Sequence, residues 1–166
     1  MPVVLQACHA QAERDRRGPF SILDVGPGLG KYGLLLREYL HAPLVIDAVE
    51  AERRYCTPRL RAIYDSIIVN DATKLHRHVL ERYDLVVMVD VIEHLTEQAG
   101  RDLLDRIKGH VIITTPTVYF QNPEAARGWP TEEHRSFWRA GDFPQERVRS
   151  AELLPEEGLM VCLHPR

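Results

Sequence analysis

The sequence has no long hydrophobic run, few cysteines and no large excess of either charge. The three cysteines, Cys8, Cys56 and Cys162, form no C-x-x-C pair, and their odd number argues against a disulfide framework. No stretch approaches the length of a membrane span, and the first arginines follow the N-terminal apolar run instead of preceding it, unlike a secretory signal. The net charge of −3 gives no general attraction to nucleic acid or to anionic membranes. We therefore expect a cytoplasmic protein without a membrane or nucleic-acid partner.

Short apolar segments alternate with helical patterns over most of the 166 residues, a length that favours a single domain spanning 1–166. Such alternation predicts a parallel sheet covered on both faces, a three-layered α/β fold of the doubly wound, Rossmann-like kind. The last two strands have the spacing of an antiparallel hairpin. The predicted strands are 20–25, 44–49, 66–69, 83–89, 111–115, 147–154 and 159–163, and the predicted helices are 3–16 (within an N-terminal helical segment 1–18), 31–40, 58–64, 73–81 and 97–108.

The segment 22–33, ILDVGPGLGKYG, is the most informative part of the chain. An apolar strand ends in Asp24, and Gly26, Gly28 and Gly30 follow at alternate positions before a helix begins. Glycines let a ligand lie against bare backbone, and the helix start offers unpaired N–H groups to polar ligand atoms. The spacing G-x-G-x-G differs from the dinucleotide fingerprint G-x-G-x-x-G, which disfavours a nicotinamide oxidoreductase. An acid before the first glycine favours a cationic or hydroxyl-rich ligand.

This segment resembles motif I of the class I methyltransferases that use S-adenosylmethionine (SAM), and the chain is similar to small bacterial methyltransferase domains. Acids at three further strand ends extend the resemblance, which covers roughly residues 20–116. Glu50 ends the second strand, where a carboxylate can accept hydrogen bonds from both hydroxyls of a ribose. In the family, an acid in the place of Asp71, followed by a small residue such as Ala72, borders the adenine. Asp90 ends the fourth strand, beside the expected cofactor and substrate.

The segment after the fourth strand, Asp90-Val-Ile-Glu93-His94, is the candidate for the chemistry of transfer. Methyl transfer needs alignment of the nucleophile and in some cases removal of its proton. Glu93, His94 and the later His134 are the candidate catalytic residues, and each histidine could instead be structural. The Asn/Asp-Pro-Pro-Tyr/Phe segment typical of exocyclic-amine methyltransferases is absent, which argues against methylation of adenine N6.

The same residues resemble the acid-and-histidine segments of two groups of metal-assisted O-methyltransferases. One group methylates the 3′-terminal 2′-hydroxyl of small RNAs, and the other acts in quinone biosynthesis. The resemblance implies Asp90, Glu93, His94 and His134 as candidate ligands of Mg²⁺ or Mn²⁺, although Ile-Glu-His-Leu also occurs in methyltransferases that need no metal. Asp90 departs from the glutamate of the RNA group.

The long segment 116–141 has little periodicity and is predicted to be a lid over the active site. Its aromatic residues could exclude water from the site, or Phe137 and Trp138 could anchor the segment in the core.

The leading hypothesis is a SAM-dependent methyltransferase acting on oxygen, with nitrogen as the second choice, of a small-molecule acceptor. Two alternatives stay open. One is a metal-assisted RNA 2′-O-methyltransferase, which predicts a basic groove leading to His94 and His134. The other is a SAM-binding module without catalysis.

Overall fold

The computed structural model describes residues 3–12, 18–118, 130–155 and 158–166. A single seven-stranded sheet runs through the described part of the chain, in the order β3-β2-β1-β4-β5-β7-β6. The first five strands are parallel, and β7 is inserted antiparallel between β5 and β6. The strands are β1 (Phe20–Val25), β2 (Leu44–Glu50), β3 (Ser66–Val69), β4 (Leu85–Val89), β5 (His110–Pro116), β6 (Val148–Leu154) and β7 (Gly158–Leu163).

Helices cover both faces of the sheet, because the central strands are apolar on both sides. Leu23 and Val25 belong to one buried cluster with Leu103 of a flanking helix, whereas Ile22, directly before Leu23, belongs to the opposite cluster with Leu5. Alternate residues of a strand point to opposite faces, so the two clusters form the two interfaces of a three-layered fold. The helices are α1 (Val3–Ala12), α2 (Lys31–Tyr39), α3 (Pro58–Ile63), α4 (Arg77–Leu80) and α5 (Glu97–Arg106).

The predicted fold class is confirmed, and the differences lie at the ends of elements. The helix predicted over 73–81 is a 3-10 turn, Ala72–Lys74, followed by the single-turn α4. The fourth strand begins at Leu85 instead of at residue 83. Thr96 does cap α5, since its Oγ1 accepts a hydrogen bond from the Ala99 N–H at 3.3 Å. That helix ends before Ile107, whose extended backbone and full burial lead the chain into β5.

The N-terminal and lid predictions fall partly outside the described residues. The first helix is described over Val3–Ala12, and residues 13–17 of the predicted segment lie outside the description. Residues 119–129 of the predicted lid, with Tyr119, Phe120 and Trp129, lie outside it as well. None of the described helices has the combination of length and apolar character that crossing a membrane requires.

Candidate functional site

A cavity of about 530 Å³ lies at the carboxyl ends of the parallel strands. The strand order reverses between β1 and β4, and in open α/β sheets this is where ligands bind. Most of the predicted cofactor residues meet there. Gly26, Gly28, Glu50, Asp71, Ala72, Asp90 and His94 all line the cavity.

The glycine loop forms one wall, and its backbone explains why glycine is needed. Gly26 has a φ of +64° and Gly28 a φ of +53°, and residues with a Cβ rarely adopt such positive φ angles. A Cβ added to Gly26 would lie 2.8 Å from Val91 Cγ2, whereas one added to Gly28 would meet no atom within 4 Å. The bare backbone of Gly28 therefore faces open cavity, as a cradle for a ligand requires.

Glu50 is buried at the end of β2 and is held in place by backbone donors. Its Oε1 accepts a hydrogen bond from the Glu52 N–H at 2.8 Å, and the N–H of Gly28 acts on the same carboxylate. Burial raises the pKa of Glu50, and the nearby Glu132 and Glu52 carboxylates add to this rise. A carboxylate in this position is suited to accept hydrogen bonds from ribose hydroxyls.

Asp24 and Gly30 do not line the cavity, in contrast to the direct contact predicted for them. Asp24 is only 3% exposed, and its Oδ2 accepts a hydrogen bond of 2.5 Å from the Tyr64 hydroxyl. Burial raises the pKa of Asp24 to about 7, and the hydrogen bond from Tyr64 opposes that rise. Gly30, with a φ of +82°, lies under Leu60 and Ile63 of α3, which leave no room for a Cβ. Both residues shape the cradle from behind.

Asp90 adopts a left-handed conformation, with a φ of +53°, which turns the chain sharply at the end of β4. Its N–H donates to the Thr114 carbonyl at 3.1 Å, and its Oδ1 accepts from the Thr114 hydroxyl at 3.0 Å. These bonds to β5 hold the residue despite an unfavourable backbone region. Asp90 lies on the cavity wall.

Glu93, His94 and His134 come together, although 40 residues separate the two histidines. The imidazole centroids lie 4.9 Å apart, and one ligand atom from each of the three residues lies within 4.8 Å of the others. Backbone hydrogen bonds join the two segments, since the N–H groups of Arg135 and Ser136 both donate to the Glu93 carbonyl, at 2.7 and 3.1 Å. Asp90, whose Oδ1 accepts from Thr114, does not belong to this group of three, so its role as a metal ligand stays a prediction.

The three members of this group differ in environment. Glu93 is 2% exposed, its Oε2 accepts from the Thr115 hydroxyl at 3.1 Å, and burial raises its pKa to about 7. Burial and the neighbouring His94 lower the pKa of His134. His94 Nδ1 lies 3.3 Å from the Glu133 carbonyl oxygen. A carbonyl can only accept, so Nδ1 carries the proton, and in the neutral ring Nε2 has a lone pair.

Several cavity residues were not predicted from the sequence. Tyr55 donates to Glu132 Oε1 at 3.4 Å, and the Thr131 hydroxyl donates to Glu52 Oε1 at 3.2 Å. These bonds connect the two sides of the cavity across nearly 80 residues of sequence. Arg135 is the one basic residue on the described cavity wall. Proximity to the predicted His134 was the only signal for Thr131, Glu132 and Arg135.

The described part of the predicted lid is anchored in the core. Trp138 is completely buried, its indole N–H donates to Ser136 Oγ at 2.7 Å, and its ring lies 5.2 Å from that of Phe143. The anchoring alternative is therefore confirmed for Trp138, whereas Phe137 is half-buried.

The chain matches the sequence model of a protein family described as a methyltransferase domain, over residues 4–147. A curated relative from Escherichia coli, the tRNA1(Val) (adenine(37)-N6)-methyltransferase, is 26% identical over 143 residues, which is 86% of this chain and 50% of that protein. The chain thus spans about half the length of the curated relatives it matches.

Solved methyltransferases share the fold. The magnesium protoporphyrin IX methyltransferase from Synechocystis PCC 6803, solved with bound SAH, superposes with a TM-score of 0.65 at 11% identity, over 96% of this chain and 81% of that chain. A TehB-like SAM-dependent methyltransferase from Corynebacterium glutamicum gives a TM-score of 0.65 at 17% identity, over 98% and 87% of the two chains. At these identities the likeness shows the fold alone.

Proposed function

Because the chain belongs to the methyltransferase domain family, we propose that it is a SAM-dependent methyltransferase that methylates an oxygen of a small-molecule acceptor with His94 as general base. The observation that carries the proposal is the His94 ring on the cavity wall, with Nδ1 turned to the Glu133 carbonyl. A nitrogen of a small molecule is the second choice for the methylated atom. The cytoplasmic location stays a prediction.

The residues of the cavity fit SAM. The bare backbone of Gly26 and Gly28 leaves room for a ligand, and Glu50 offers a carboxylate at the position expected for a ribose. Asp71 and Ala72 lie where the adenine is expected, and Asp90, also on the cavity wall, would border both the cofactor and the acceptor. When bound, SAM supplies a methyl group already activated by its sulfonium sulfur.

The role of the protein is then to place the acceptor and to take its proton. In the proposed step, His94 Nε2 would accept the hydroxyl proton of the acceptor, whose oxygen would take the methyl group of bound SAM and leave its sulfur as a neutral thioether. The Glu133 carbonyl holds the ring in the required tautomer and stabilises the imidazolium through Nδ1–H. The Asp90 carboxylate adds a negative charge on the cavity wall.

The charges of the cavity favour a small molecule over RNA. The described wall carries the acids Glu50, Glu52, Asp71, Asp90 and Glu132 against one basic residue, Arg135. An RNA-binding groove needs basic side chains to neutralise phosphates. Within the described residues, no basic groove of this kind leads to the two histidines.

A tRNA acceptor is the second candidate, favoured by the similarity to the tRNA1(Val) (adenine(37)-N6)-methyltransferase. The experiment that separates the two uses methyl-labelled SAM, incubated with the protein and either the small-molecule fraction or the RNA fraction of a bacterial extract. Label in a small molecule, lost about 10²-fold or more in His94→Gln, is the expected result. Label confined to RNA would contradict the proposal.

The metal-assisted alternative needs a divalent cation. The group formed by Glu93, His94 and His134 offers three ligand atoms for one. Two imidazoles and one carboxylate suit Mn²⁺ better than Mg²⁺, which prefers oxygen ligands. Titration calorimetry with MnCl₂ and MgCl₂, on wild type and on His134→Gln, tests this set of ligands. Transfer that continues at full rate in excess chelator would rule out a metal-assisted reaction.

A further inference from the structure

Tyr64, directly after α3, joins Asp24 to the first turn of α2 and does not line the cavity. Its ring is buried, and its hydroxyl donates to Asp24 Oδ2 at 2.5 Å. We propose that Tyr64 is a positioning residue for cofactor binding, which holds the Asp24 carboxylate behind the cradle and favours its ionised form. This inference rests on SAM being the ligand of the cavity.

The packing around Tyr64 fixes both ends of the loop. The Tyr64 hydroxyl oxygen accepts a hydrogen bond from the Gly33 N–H while the hydroxyl donates to Asp24. One hydroxyl therefore joins β1 to the first turn of α2. A Cβ added to Gly33 would lie 2.5 Å from that hydroxyl, and a Cβ added to Gly30 would lie 2.7 Å from Ile63 Cδ1. Glycine at both positions therefore lets the end of α3 lie directly on the loop.

Asp24 is a buried carboxylate without a cationic partner among the described groups that act on it. These groups are Cys8 from α1, Tyr32 from α2, Glu50 from β2 and Tyr64 after α3, whereas β4 places the apolar Val87 beside Asp24. None of them is positively charged, and Tyr64 is the donor that stabilises the ionised form of Asp24.

A buried negative charge behind the cradle favours a cationic ligand over a neutral one. Gly26, two residues after Asp24, lies on the cavity wall, and SAM carries a sulfonium and an ammonium group. Water screens this attraction poorly, because Asp24 is buried. The affinity for SAM should therefore follow the ionisation of Asp24, whose pKa lies at about 7.

The test is the dissociation constant of SAM, measured by titration calorimetry between pH 6 and pH 8.5. In the wild type we expect binding to weaken as the pH falls through about 7. Tyr64→Phe removes the donor to a charged group, which should move this midpoint up by about one pH unit and weaken binding about fivefold at pH 7. The amino group of SAM also titrates, near pH 8, and this changes the affinity of every variant equally. The difference between variants is therefore unaffected by it.

Two variants separate positioning from a general loss of stability. Tyr83→Phe removes a comparable bond, from the Tyr83 hydroxyl to Asp47 Oδ2 at 2.8 Å, away from the cavity, and should keep the wild-type midpoint. Asp24→Asn should abolish the loss of affinity as the pH falls through about 7, leaving only the titration of the SAM amino group near pH 8. If Tyr64→Phe does not fold, Gly33→Ala displaces the same hydroxyl and should show the same shift.

A wild-type midpoint retained by Tyr64→Phe would overturn the inference, as would a loss of affinity below pH 7 that persists in Asp24→Asn and so belongs to another group. Absence of SAM binding at every pH in the wild type would instead contradict the assignment of the cofactor.

Discussion

The indole ring of Trp138 lies directly on Gly100 of α5, where an added Cβ would approach the ring carbon Cζ2 to 2.6 Å. From this contact the chain runs back to Ser136, whose hydroxyl accepts from the indole and donates to the Ile92 carbonyl at 3.3 Å. His134 lies two residues before Ser136 in the chain. The position of this histidine beside His94 therefore depends on a ring buried in the core, on the far side of the segment from the cavity.

Removing the Trp138 side chain should destabilise the folded protein and loosen the segment that carries His134. We expect Trp138→Ala to lower the free energy of unfolding by about 3–5 kcal/mol, measured by urea denaturation, because it leaves a large cavity in the core. Phe137→Ala, at the half-buried neighbouring position, is the matched control and should cost clearly less. Equal losses in the two variants would show that the segment is not anchored through Trp138.

The open backbone of Gly28 should be essential for binding the cofactor. In Gly28→Val the side chain would project into the cavity from a backbone with a φ of +53°, so we expect SAM binding to fall below detection by calorimetry. Gly141→Val is the control, since Gly141 also has free space around it but lies on an exposed turn outside the cavity wall. Tight SAM binding by Gly28→Val would contradict the location of the cofactor.

The sequence predicted those parts of the site that depend on local patterns. The order of strands and helices follows from apolar alternation, and the residues at strand ends, such as Glu50 and Asp71, then converge because parallel strands end at one edge. Partners distant along the chain were not predictable in this way. Nothing near Tyr64 in the sequence indicates that its hydroxyl reaches Asp24, 40 positions earlier.

The sequence pattern also did not predict the direction in which the Asp24 side chain points. Asp24 precedes the glycines at the spacing of a ligand-binding acid, yet the pleat of β1 turns it away from the cavity. The two sides of the cavity meet through Glu52, Tyr55, Thr131 and Glu132, and this meeting depends on how the segment after β5 folds back over the sheet. That path is determined by the burial of Trp138, for which the sequence left anchor and lid as equal alternatives.

Arg147 should stabilise the fold without affecting the cofactor. It is 3% exposed, and its guanidinium donates to the carbonyls of Leu104, Gly109 and His164 at 2.9, 3.1 and 2.9 Å. Arg147→Met keeps much of the volume but leaves buried carbonyls without donors, so we expect a loss of about 2–4 kcal/mol in urea denaturation. The dissociation constant of SAM should be unchanged, and a large change in it would show that this end of the sheet is coupled to the cavity.

The unliganded protein should become less stable as the pH rises from about 5 to about 8. Burial raises the pKa of both Asp24 and Glu93 to about 7, from about 4 in an unfolded chain, so the folded state binds more protons than the unfolded state in this window. The raised pKa of Glu50 acts in the same direction, whereas the lowered pKa of His134 acts in the opposite direction, so one group opposes three. We expect the melting temperature to fall with rising pH, and the fall to be smaller in Asp24→Asn and in Glu93→Gln. Each pKa unit corresponds to about 1.4 kcal/mol, so the change is measurable by calorimetry. A melting temperature that rises over this range in the wild type would show that neither carboxyl group is protonated in the folded protein.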